Sequence, residues 1–352
     1  MKINTTNLLD LIRTKGPMSY EEIFTAFKKG ENYPSRKVKA LIKKLKTNGK
    51  IVSRKGLVQI PSTKSKKKKK EDFRCNDDFN FILKKHKIKA DFPKKVLNEC
   101  ERNFKISDAE LKKRTSFIGD PIITIDDEDA KDLDDAVYLE RKSKGWRLYV
   151  HIADVSYYVK FESATDKEAL RRGTSIYLTD KVVPMLPHSL SNGICSLNPD
   201  TERLCVSATI DLDSKGKITK YFFCESVIKV KKRYSYNVVN QVLTMKPNEV
   251  PAEHKEFYPI LKEMEKLAML LSSNRFNTGS LDFDVDELKI KCDENSNPID
   301  VKRRERLTSH RIIEEFMLKA NKAAARFLGE RGHSIFRIHE FPDAEKIKNF
   351  FD

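Results

Sequence analysis

The ten residues from Asp126 to Asp135, DDEDAKDLDD, contain seven carboxylates in a chain whose formal net charge is +17. We call this segment the acidic loop. It lies between two apolar runs, PIITI and AVYLE, that are typical of buried strands. Its like charges would repel one another strongly in a partly buried place, and bound cations are the simplest way to neutralise them.

Three interpretations of the acidic loop compete. A solvated loop is the usual fate of a charge run, but a connection between two buried strands rarely needs seven like charges. An EF-hand calcium loop is excluded, because its sixth position, counted from Asp126, is Lys131 and its twelfth is Val137, where glycine and glutamate are needed. The third interpretation is a magnesium site for phosphodiester hydrolysis, in which two ions about 4 Å apart activate water and stabilise the leaving oxygen.

The spacing within the loop supports the magnesium interpretation. If the segment is locally extended, Asp132 and Asp134 point to one side while Leu133 turns away to pack. Asp135 and the more distant Asp126 can approach from the loop's other limb. The residues alone therefore predict a divalent-metal site built from carboxylates.

The composition limits the class of protein. A chain of 352 residues with 39% hydrophobic and 34% charged residues predicts two or three soluble domains. It has no apolar run of the length that a membrane span requires and no N-terminal signal pattern. Six scattered cysteines without C-x-x-C spacing argue against a zinc site and a disulfide scaffold. We therefore expect a cytoplasmic protein, and the positive charge favours nucleic acid as its partner.

The first 61 residues predict a winged-helix domain, a helix-turn-helix variant. Three helices are expected in TTNLLDLIRTKG, SYEEIFTAFKKG and PSRKVKALIKKLKTNGK, followed by a hairpin in KIVSRKGLVQIP. The third helix has one apolar face and one basic face, which favours nucleic-acid contact, although such modules also bind proteins. Residues 62–78, with their run of five lysines, predict a disordered linker that attracts phosphate.

Residues 79–352 predict an α+β domain. Strands are expected in PIITID, AVYLE, WRLYVHIADV, CVSATIDLD, YFFCESVIKV and LDFDV, and helices in FPKKVLNECERN, SDAELKKRT, KEFYPILKEMEKLAMLLSSNRF and SHRIIEEFMLKANKAAARFLGERG. His151, inside a strand, is expected to be a structural group. Arg203 is expected to meet either a phosphate or a carboxylate. The proline-rich segment VVPMLPHSLSNGICSLNP is expected to form a shaped supporting loop.

The string TIDDEDAKDLDDAVYLE closely resembles the signature of the RNB catalytic domain of the ribonuclease II and ribonuclease R family. The resemblance continues in order through YVHIADVSYYV, LRRGTSIYLTDKVVPMLPHSLSNGICSLNPDTERL and SHRIIEEFMLKANKAAARFL, and covers roughly Lys87 to the C-terminus. It implies an N-terminal winged helix-turn-helix followed by the N-terminal portion of an RNB-type mixed α/β catalytic domain. The N-terminal domain also resembles that of ribonuclease R.

The resemblance implies a Mg²⁺-dependent 3′-to-5′ exoribonuclease that hydrolyses single-stranded RNA to nucleoside 5′-monophosphates, with two Mg²⁺ ions that Mn²⁺ can replace. The signature's four essential aspartates fall on Asp126, Asp132, Asp134 and Asp135. The resemblance assigns metal binding to Asp126, Asp132 and Asp135. It assigns Asp134 a role in catalysis with the least effect on RNA binding.

The resemblance also implies RNA-binding residues. Tyr177 corresponds to a tyrosine that clamps the last nucleotides and sets the size of the final product. Tyr236 and one of the pair Glu314 and Glu315 correspond to residues that recognise the 3′ nucleotides and ribose, and Glu314 is favoured. Phe283 is a further candidate for stacking. For each aromatic residue the residues alone instead favour a core position in a strand.

The sequence departs from the family pattern in three places. The two cold-shock domains between the winged helix and the catalytic domain, the second half of the catalytic domain with its HFTSPIRRY-type motif, and a C-terminal S1 domain are absent. We therefore expect an incomplete RNB domain, weak or no activity of this chain alone, and a possible complementing C-terminal fragment. Two other functions stay open, a non-catalytic RNA-binding protein derived from such a nuclease and a DNA-binding regulator.

Overall fold

In a computed structural model of the chain, the described residues are 4–28, 35–48, 50–54, 56–60, 75–101, 106–179, 181–280, 287–293, 297–332, 335–336 and 343–351. The chain divides into two compact units, residues 1–77 and 78–352. Most of the predicted linker, residues 62–74, lies outside the described residues, and so does Phe283. Within the described ranges, no helix combines the length and apolar character that a membrane crossing needs.

The first unit contains three helices and a small sheet: α1 (Thr5–Lys15), β1 (Met18–Ser19), α2 (Tyr20–Lys28), α3 (Ser35–Thr47), β2 (Val52–Arg54) and β3 (Leu57–Gln59). The three strands are antiparallel in the order β1-β3-β2. On α3, Val38, Ile42 and Leu45 are buried in the core of this unit, whereas Lys43 and Lys44 are exposed. The helices and the hairpin thus lie where they are expected, and assignment to the winged-helix class stays a prediction.

The second unit contains the remaining elements: α4 (Cys75–Lys85), α5 (Lys94–Cys100), α6 (Asp108–Lys113), β4 (Thr115–Phe117), β5 (Ile123–Asp126), β6 (Asp135–Lys142), β7 (Gly145–Ala153), α7 (Val155–Tyr158), α8 (Ala164–Arg172), β8 (Ile176–Tyr177), β9 (Val182–Val183), a π-helical turn (Ser189–Ile194), β10 (Glu202–Asp213), β11 (Ile218–Lys229), β12 (Lys232–Ser235), α9 (Tyr236–Thr244), α10 (Ala252–Lys255), α11 (Tyr258–Asn277), β13 (Glu287–Cys292), β14 (Pro298–Arg304), α12 (Thr308–Gly329) and α13 (Ala344–Phe351). Residues 75–78, at the end of the predicted linker, belong to the first turn of α4.

A seven-stranded sheet in the order β12-β5-β6-β7-β10-β11-β4 is the centre of this unit. Its inner pairs are antiparallel, and the two edge pairs, β12 with β5 and β11 with β4, are parallel. Val137 pairs with Val150 of the next strand, and Val150 pairs with Ala208, so these three side chains lie on the same face of the sheet. This face packs in one core with the apolar stripes of α9, α11 and α12, which confirms a mixed α/β fold.

The acidic loop connects β5 and β6, the second and third strands in the order of the sheet. Ile123 and Ile125 of β5 and Val137 of β6 are almost fully buried, and Ile123 pairs with Val137 across the two strands. The prediction that the loop connects two buried strands is therefore confirmed. The predicted strand LDFDV, in contrast, lies outside the described residues.

Candidate active site

Two of the predicted metal ligands are fixed by the ends of strands. Asp126 is the last residue of β5, and Asp135 is the first residue of β6, where it pairs with Ile152 of β7. Both side chains are only partly exposed. Because the strands are hydrogen-bonded neighbours, these two carboxylates lie at the same end of the sheet.

Packing fixes the path of the loop between them. Leu133 is fully buried, and its N–H donates to Ser196 Oγ (3.1 Å) while its carbonyl oxygen accepts from the N–H of Leu197 (2.9 Å). Ser196 Oγ in turn donates to the carbonyl oxygen of Lys131 (2.8 Å). The buried Leu133 side chain therefore directs its neighbours Asp132 and Asp134 to the opposite side, as the alternation predicts.

Arg233, on the edge strand β12, holds the first half of the acidic loop. Its Nη2 donates to the carbonyl oxygens of Asp127 (3.3 Å), Glu128 (3.0 Å) and Ala130 (2.7 Å). The guanidinium thus binds backbone oxygens of the loop and makes no ion pair with Asp126 among the described contacts. It therefore shapes the loop mainly through backbone contacts, and its charge offsets only part of the effect of burial on Asp126.

The carboxylates of the loop have raised pKa values. Burial raises the pKa of Asp126 to about 7, the charge of Asp135 adds to this effect, and Arg233 opposes it. Burial, followed by the charge of Asp134, raises the pKa of Asp135 to about 6. Partial loss of solvent also raises the pKa of Asp134, and the charge of Asp132 contributes. Asp134 is still the most exposed of these three aspartates.

The chemistry of these groups fits a hard divalent cation. Oδ2 of Asp126 is buried and has no hydrogen-bond partner. Across the described residues, no Lys, Arg or His nitrogen lies within 4 Å of the carboxylates of Asp126, Asp132, Asp134 and Asp135. The described part of the chain also includes no group of three or more His, Cys, Asp or Glu side chains already arranged to hold a metal. The donors are therefore suitable oxygen ligands with uncompensated charge, and they do not form a closed cage.

A cavity of about 800 Å³ borders the acidic loop. Asp132 and Asp134 line it together with Tyr177 and Val182 from the short strands β8 and β9. Tyr177 is 68% exposed, so it is not a core residue. Its pKa is raised first by loss of solvent and then by the charges of Asp132 and Asp134. The structure thus brings this predicted RNA-binding residue and the acidic loop together.

Tyr236 lies at the start of α9, directly after the strand in which Ser235 pairs with Asp126. Its ring stacks on His310 of α12, with ring centroids 4.0 Å apart, and its carbonyl oxygen accepts from Ser309 Oγ (2.8 Å). Tyr236 thus connects the end of β5 with the N-terminal end of α12. It is not among the residues that line the 800 Å³ cavity.

Glu314 lies one turn after His310 on α12 and makes two ion pairs, with Arg275 Nη2 (3.0 Å) and with Arg306 Nη2 (2.5 Å). Its neighbour Glu315 is almost fully buried and accepts from Nε (3.0 Å) and Nη2 (2.8 Å) of Arg275. Glu314 is the more exposed of the two glutamates. This difference supports the choice of Glu314 as the residue that could face a ligand.

Two other polar residues, His151 and Arg203, make contacts that support the fold. His151 is fully buried, its Nδ1 lies 2.6 Å from Ser207 Oγ, and burial lowers its pKa to about 3. Among the described contacts Arg203 pairs with no carboxylate and instead donates to carbonyl oxygens, including those of Ser196 (2.8 Å) and Gly193 (3.4 Å), while its contact with a phosphate stays a prediction. It thus supports the π-helical turn beside the cavity. Ser196, Arg203 and Arg233 were not found from sequence as positioning residues, because no local pattern marks their partners.

Comparisons with known proteins agree with this fold. The RNB domain family matches residues 114–352, so the chain belongs to the RNB family. Ribonuclease R 1 of Lactococcus lactis is 41% identical over 275 residues, which cover 77% of this chain and 33% of that protein. Ribonuclease R of Thermotoga maritima is 40% identical over 287 residues, which cover 78% of this chain and 40% of that protein. The chain thus spans between a third and two fifths of the length of these curated relatives.

A solved structure shows the same similarity in three dimensions. RNase R of Mycoplasma genitalium, in complex with ribose-methylated single-stranded RNA, superposes with a TM-score of 0.74 and 30% sequence identity. The match covers 79% of this chain and 43% of that one. The family resemblance seen in the sequence is thereby confirmed.

Proposed function

We propose that this chain provides the metal-binding part of a Mg²⁺-dependent 3′-to-5′ exoribonuclease, which hydrolyses single-stranded RNA to nucleoside 5′-monophosphates in the cytoplasm. The observation that carries the proposal is a set of four carboxylates that have no cationic nitrogen within 4 Å among the described residues, two of which, Asp132 and Asp134, line the same cavity as Tyr177. The names of its relatives, and the single-stranded RNA bound to the similar structure, support RNA as the substrate.

Asp126, Asp132 and Asp135 would hold two Mg²⁺ ions, or Mn²⁺ in their place. Bound ions of this kind neutralise the carboxylates, acidify water and stabilise charge on a scissile phosphate. Asp134 is exposed at the cavity and stays available for the reaction itself. Leu133 keeps Asp132 and Asp134 on the cavity side of the loop.

The aromatic and acidic residues around this site would bind the RNA. Tyr177 has an exposed ring on which a base can stack, and such stacking is worth about 1–3 kcal/mol per base. Tyr236 and Glu314, at the N-terminal end of α12, would contact the 3′ nucleotides and ribose. Phe283 stays a candidate from the resemblance alone. RNA would thus enter with its 3′ end toward the acidic loop.

The proposal is tested by metal binding and hydrolysis measured separately. Mn²⁺ binding to the 352-residue chain is followed by electron paramagnetic resonance, and cleavage of 5′-labelled oligo(A) is followed with Mg²⁺, with and without a supplied C-terminal RNB/S1 fragment. Asp134→Asn should abolish metal-dependent cleavage while RNA binding persists. Glu128→Gln, an exposed acidic residue of the same loop, is the matched control and should leave both unchanged.

Two outcomes would contradict parts of the proposal. Equal cleavage by the unsubstituted chain and by Asp134→Asn would exclude the catalytic role of Asp134. RNA binding without metal binding or cleavage under either condition would instead support the alternative, a non-catalytic RNA-binding protein derived from such a nuclease.

A further inference from the structure

The hairpin of β8 and β9, which carries Tyr177, is held by its base. We call this hairpin the flap (residues 176–179 and 181–183). Among the described residues, two pairs connect its strands, Ile176 with Val183 and Tyr177 with Val182, and the N–H of Leu178 donates to the carbonyl oxygen of Lys181 (2.8 Å). A ladder this short is not stable in isolation, so contacts at its two ends must fix the flap's position.

Arg172 makes the central contact at the base of the flap. Its Nη1 donates to the carbonyl oxygen of Pro184 (3.0 Å), the first residue after β9. Its Nη2 donates to the carbonyl oxygen of Asp91 (2.8 Å), both Nη atoms reach that of Ala90 (3.3 Å each), and the guanidinium lies 3.7 Å from the ring centroid of Phe92. One side chain thus joins the flap to the segment that precedes α5.

Arg172 is itself rigidly placed. It is the last residue of α8, its side chain is almost fully buried, and its Nε donates to Glu168 Oε1 (2.9 Å) one turn earlier. Hydrogen bonds from Arg171 and Arg172 hold the pKa of Glu168 at about 2, so this carboxylate is charged throughout the physiological range. The buried guanidinium therefore has both its charge and its N–H groups satisfied.

The opposite end of α8 is fixed to the same part of the molecule. Glu99 of α5 accepts from the backbone N–H groups of Ala164 (2.9 Å) and Thr165 (2.8 Å) in the first turn of α8. α8 is therefore attached to α5 at its start and to the residues before α5 at its end. This gives Arg172 a fixed position from which to hold the flap.

We propose that Arg172 is a positioning residue for RNA binding, which acts by holding Tyr177 at the cavity beside Asp132 and Asp134. This inference rests on the proposed role of Tyr177 as an RNA contact. Lysine cannot replace Arg172, because the planar guanidinium donates to the carbonyl oxygens of Pro184 and Asp91 at the same time. A compact ammonium cannot reach both. The consequence of its loss is a displaced Tyr177, with the rest of the site intact.

The neighbouring Arg171 provides a matched control. It also bonds Glu168, through Nε (2.8 Å) and Nη2 (2.5 Å), and its side chain is 50% exposed. None of its described hydrogen bonds reaches the flap or the segment before α5. Arg171→Lys and Arg172→Lys thus make the same chemical change on one helix, and only the second touches the base of the flap.

The first test measures binding in an Asp134→Asn background, so that RNA stays intact. Fluorescence anisotropy with 5′-labelled oligo(A) should show about tenfold weaker binding for Arg172→Lys and for Tyr177→Ala, and no change for Arg171→Lys. When Arg172→Lys is combined with Tyr177→Ala, the affinity should be no lower than for Tyr177→Ala alone, because both substitutions remove one interaction. Additive losses would overturn the proposal, since they would mean that Arg172 acts independently of Tyr177.

The second test does not depend on RNA. Amide hydrogen exchange should be at least tenfold faster in Arg172→Lys at Leu178 and Met185, whose N–H groups are hydrogen-bonded within and below the flap, and unchanged at Val137 in the central sheet. Unchanged exchange in the flap, or equal acceleration in Arg171→Lys, would overturn the positioning role. Failure of the chain to bind oligo(A) would instead count against the proposed function, so the two failures are distinguishable.

Discussion

The acidic loop and the glutamate pair on α12 both bring carboxylates close together, but they neutralise them differently. Arg275 donates to both Glu314 and Glu315, and Arg306 pairs with the second oxygen of Glu314. In the acidic loop, by contrast, the described residues place no cationic nitrogen within 4 Å of Asp126 or of the other three predicted site aspartates. Among the described residues, the glutamate pair thus has cationic partners within the fold, and these four aspartates have none at this distance.

This difference separates two uses of buried charge. A carboxylate that is paired inside the fold connects elements, as Glu315 connects α12 to α11 through Arg275. A carboxylate that is buried without a counter-charge costs free energy, and its raised pKa expresses that cost. Asp126 and Asp135 have such raised pKa values. The unpaired group is therefore where a cation from outside the chain would gain most.

The largest effect is expected when the ion pairs of Glu314 and Glu315 with Arg275 are broken. Arg275→Met leaves the almost fully buried Glu315 without its partner, and this should lower the free energy of unfolding by about 3 kcal/mol. Urea unfolding followed by circular dichroism measures the change. Lys266→Met, at an exposed pair on the same helix, is the control and should change stability by less than about 1 kcal/mol. Equal effects would show that the Arg275 contact adds nothing beyond a surface pair.

A substitution in the acidic loop should change the free energy of unfolding in the opposite direction. At about pH 8 without metal, Asp126→Asn should raise the free energy of unfolding, on the order of 2 kcal/mol, because it removes a partly buried charge with a pKa near 7. With Mg²⁺ present the order should reverse, since only the unsubstituted chain keeps its full set of ligands. Thermal unfolding with and without Mg²⁺ measures both effects. A destabilised metal-free Asp126→Asn would show that Asp126 is already compensated.

The same groups give the metal-free protein a pH dependence. Asp126 and Asp135 hold protons in the folded state, near pH 7 and pH 6, that the unfolded chain has already released. The folded state thus binds more protons between about pH 4 and pH 7, and its stability falls as the pH rises through this window. We expect a loss on the order of 3 kcal/mol, larger than for Asp126 alone, that the double substitution Asp126→Asn with Asp135→Asn removes. An unchanged pH profile in the double variant would assign the effect to other groups.

The sequence predicted the acidic loop's setting because the relevant signals are local. Alternation around Leu133 gave the side on which Asp132 and Asp134 lie, and apolar runs gave the flanking strands. The long helices α11 and α12 were found for the same reason, since their apolar stripes repeat at helical spacing. The specific roles of the four aspartates came from the family resemblance and stay predictions.

The contacts that hold the site could not be predicted in this way. Arg233 binds the loop's carbonyl oxygens about a hundred positions earlier in the chain, because β12 returns to pair with β5. Arg203 and Arg172 likewise bind backbone oxygens of distant segments. Backbone oxygens are present at every position, so no residue type marks them as partners. Only the three-dimensional path of the chain selects them.

The smallest effect is expected for Glu128. It shows whether the total charge of the acidic loop or the position of each carboxylate determines cation binding. Glu128 is exposed and accepts one hydrogen bond from Asn237 Nδ2 (3.2 Å), which a glutamine side chain can still accept. Glu128→Gln removes the same formal charge as Asp126→Asn, yet it should change the free energy of unfolding by less than about 0.5 kcal/mol. It should also leave Mn²⁺ affinity within about twofold, because solvent already screens this carboxylate. Isothermal titration with Mn²⁺ measures the second quantity. A loss of affinity as large as that of Asp126→Asn would mean that the loop attracts cations through its total charge, and that the positions of individual aspartates matter little.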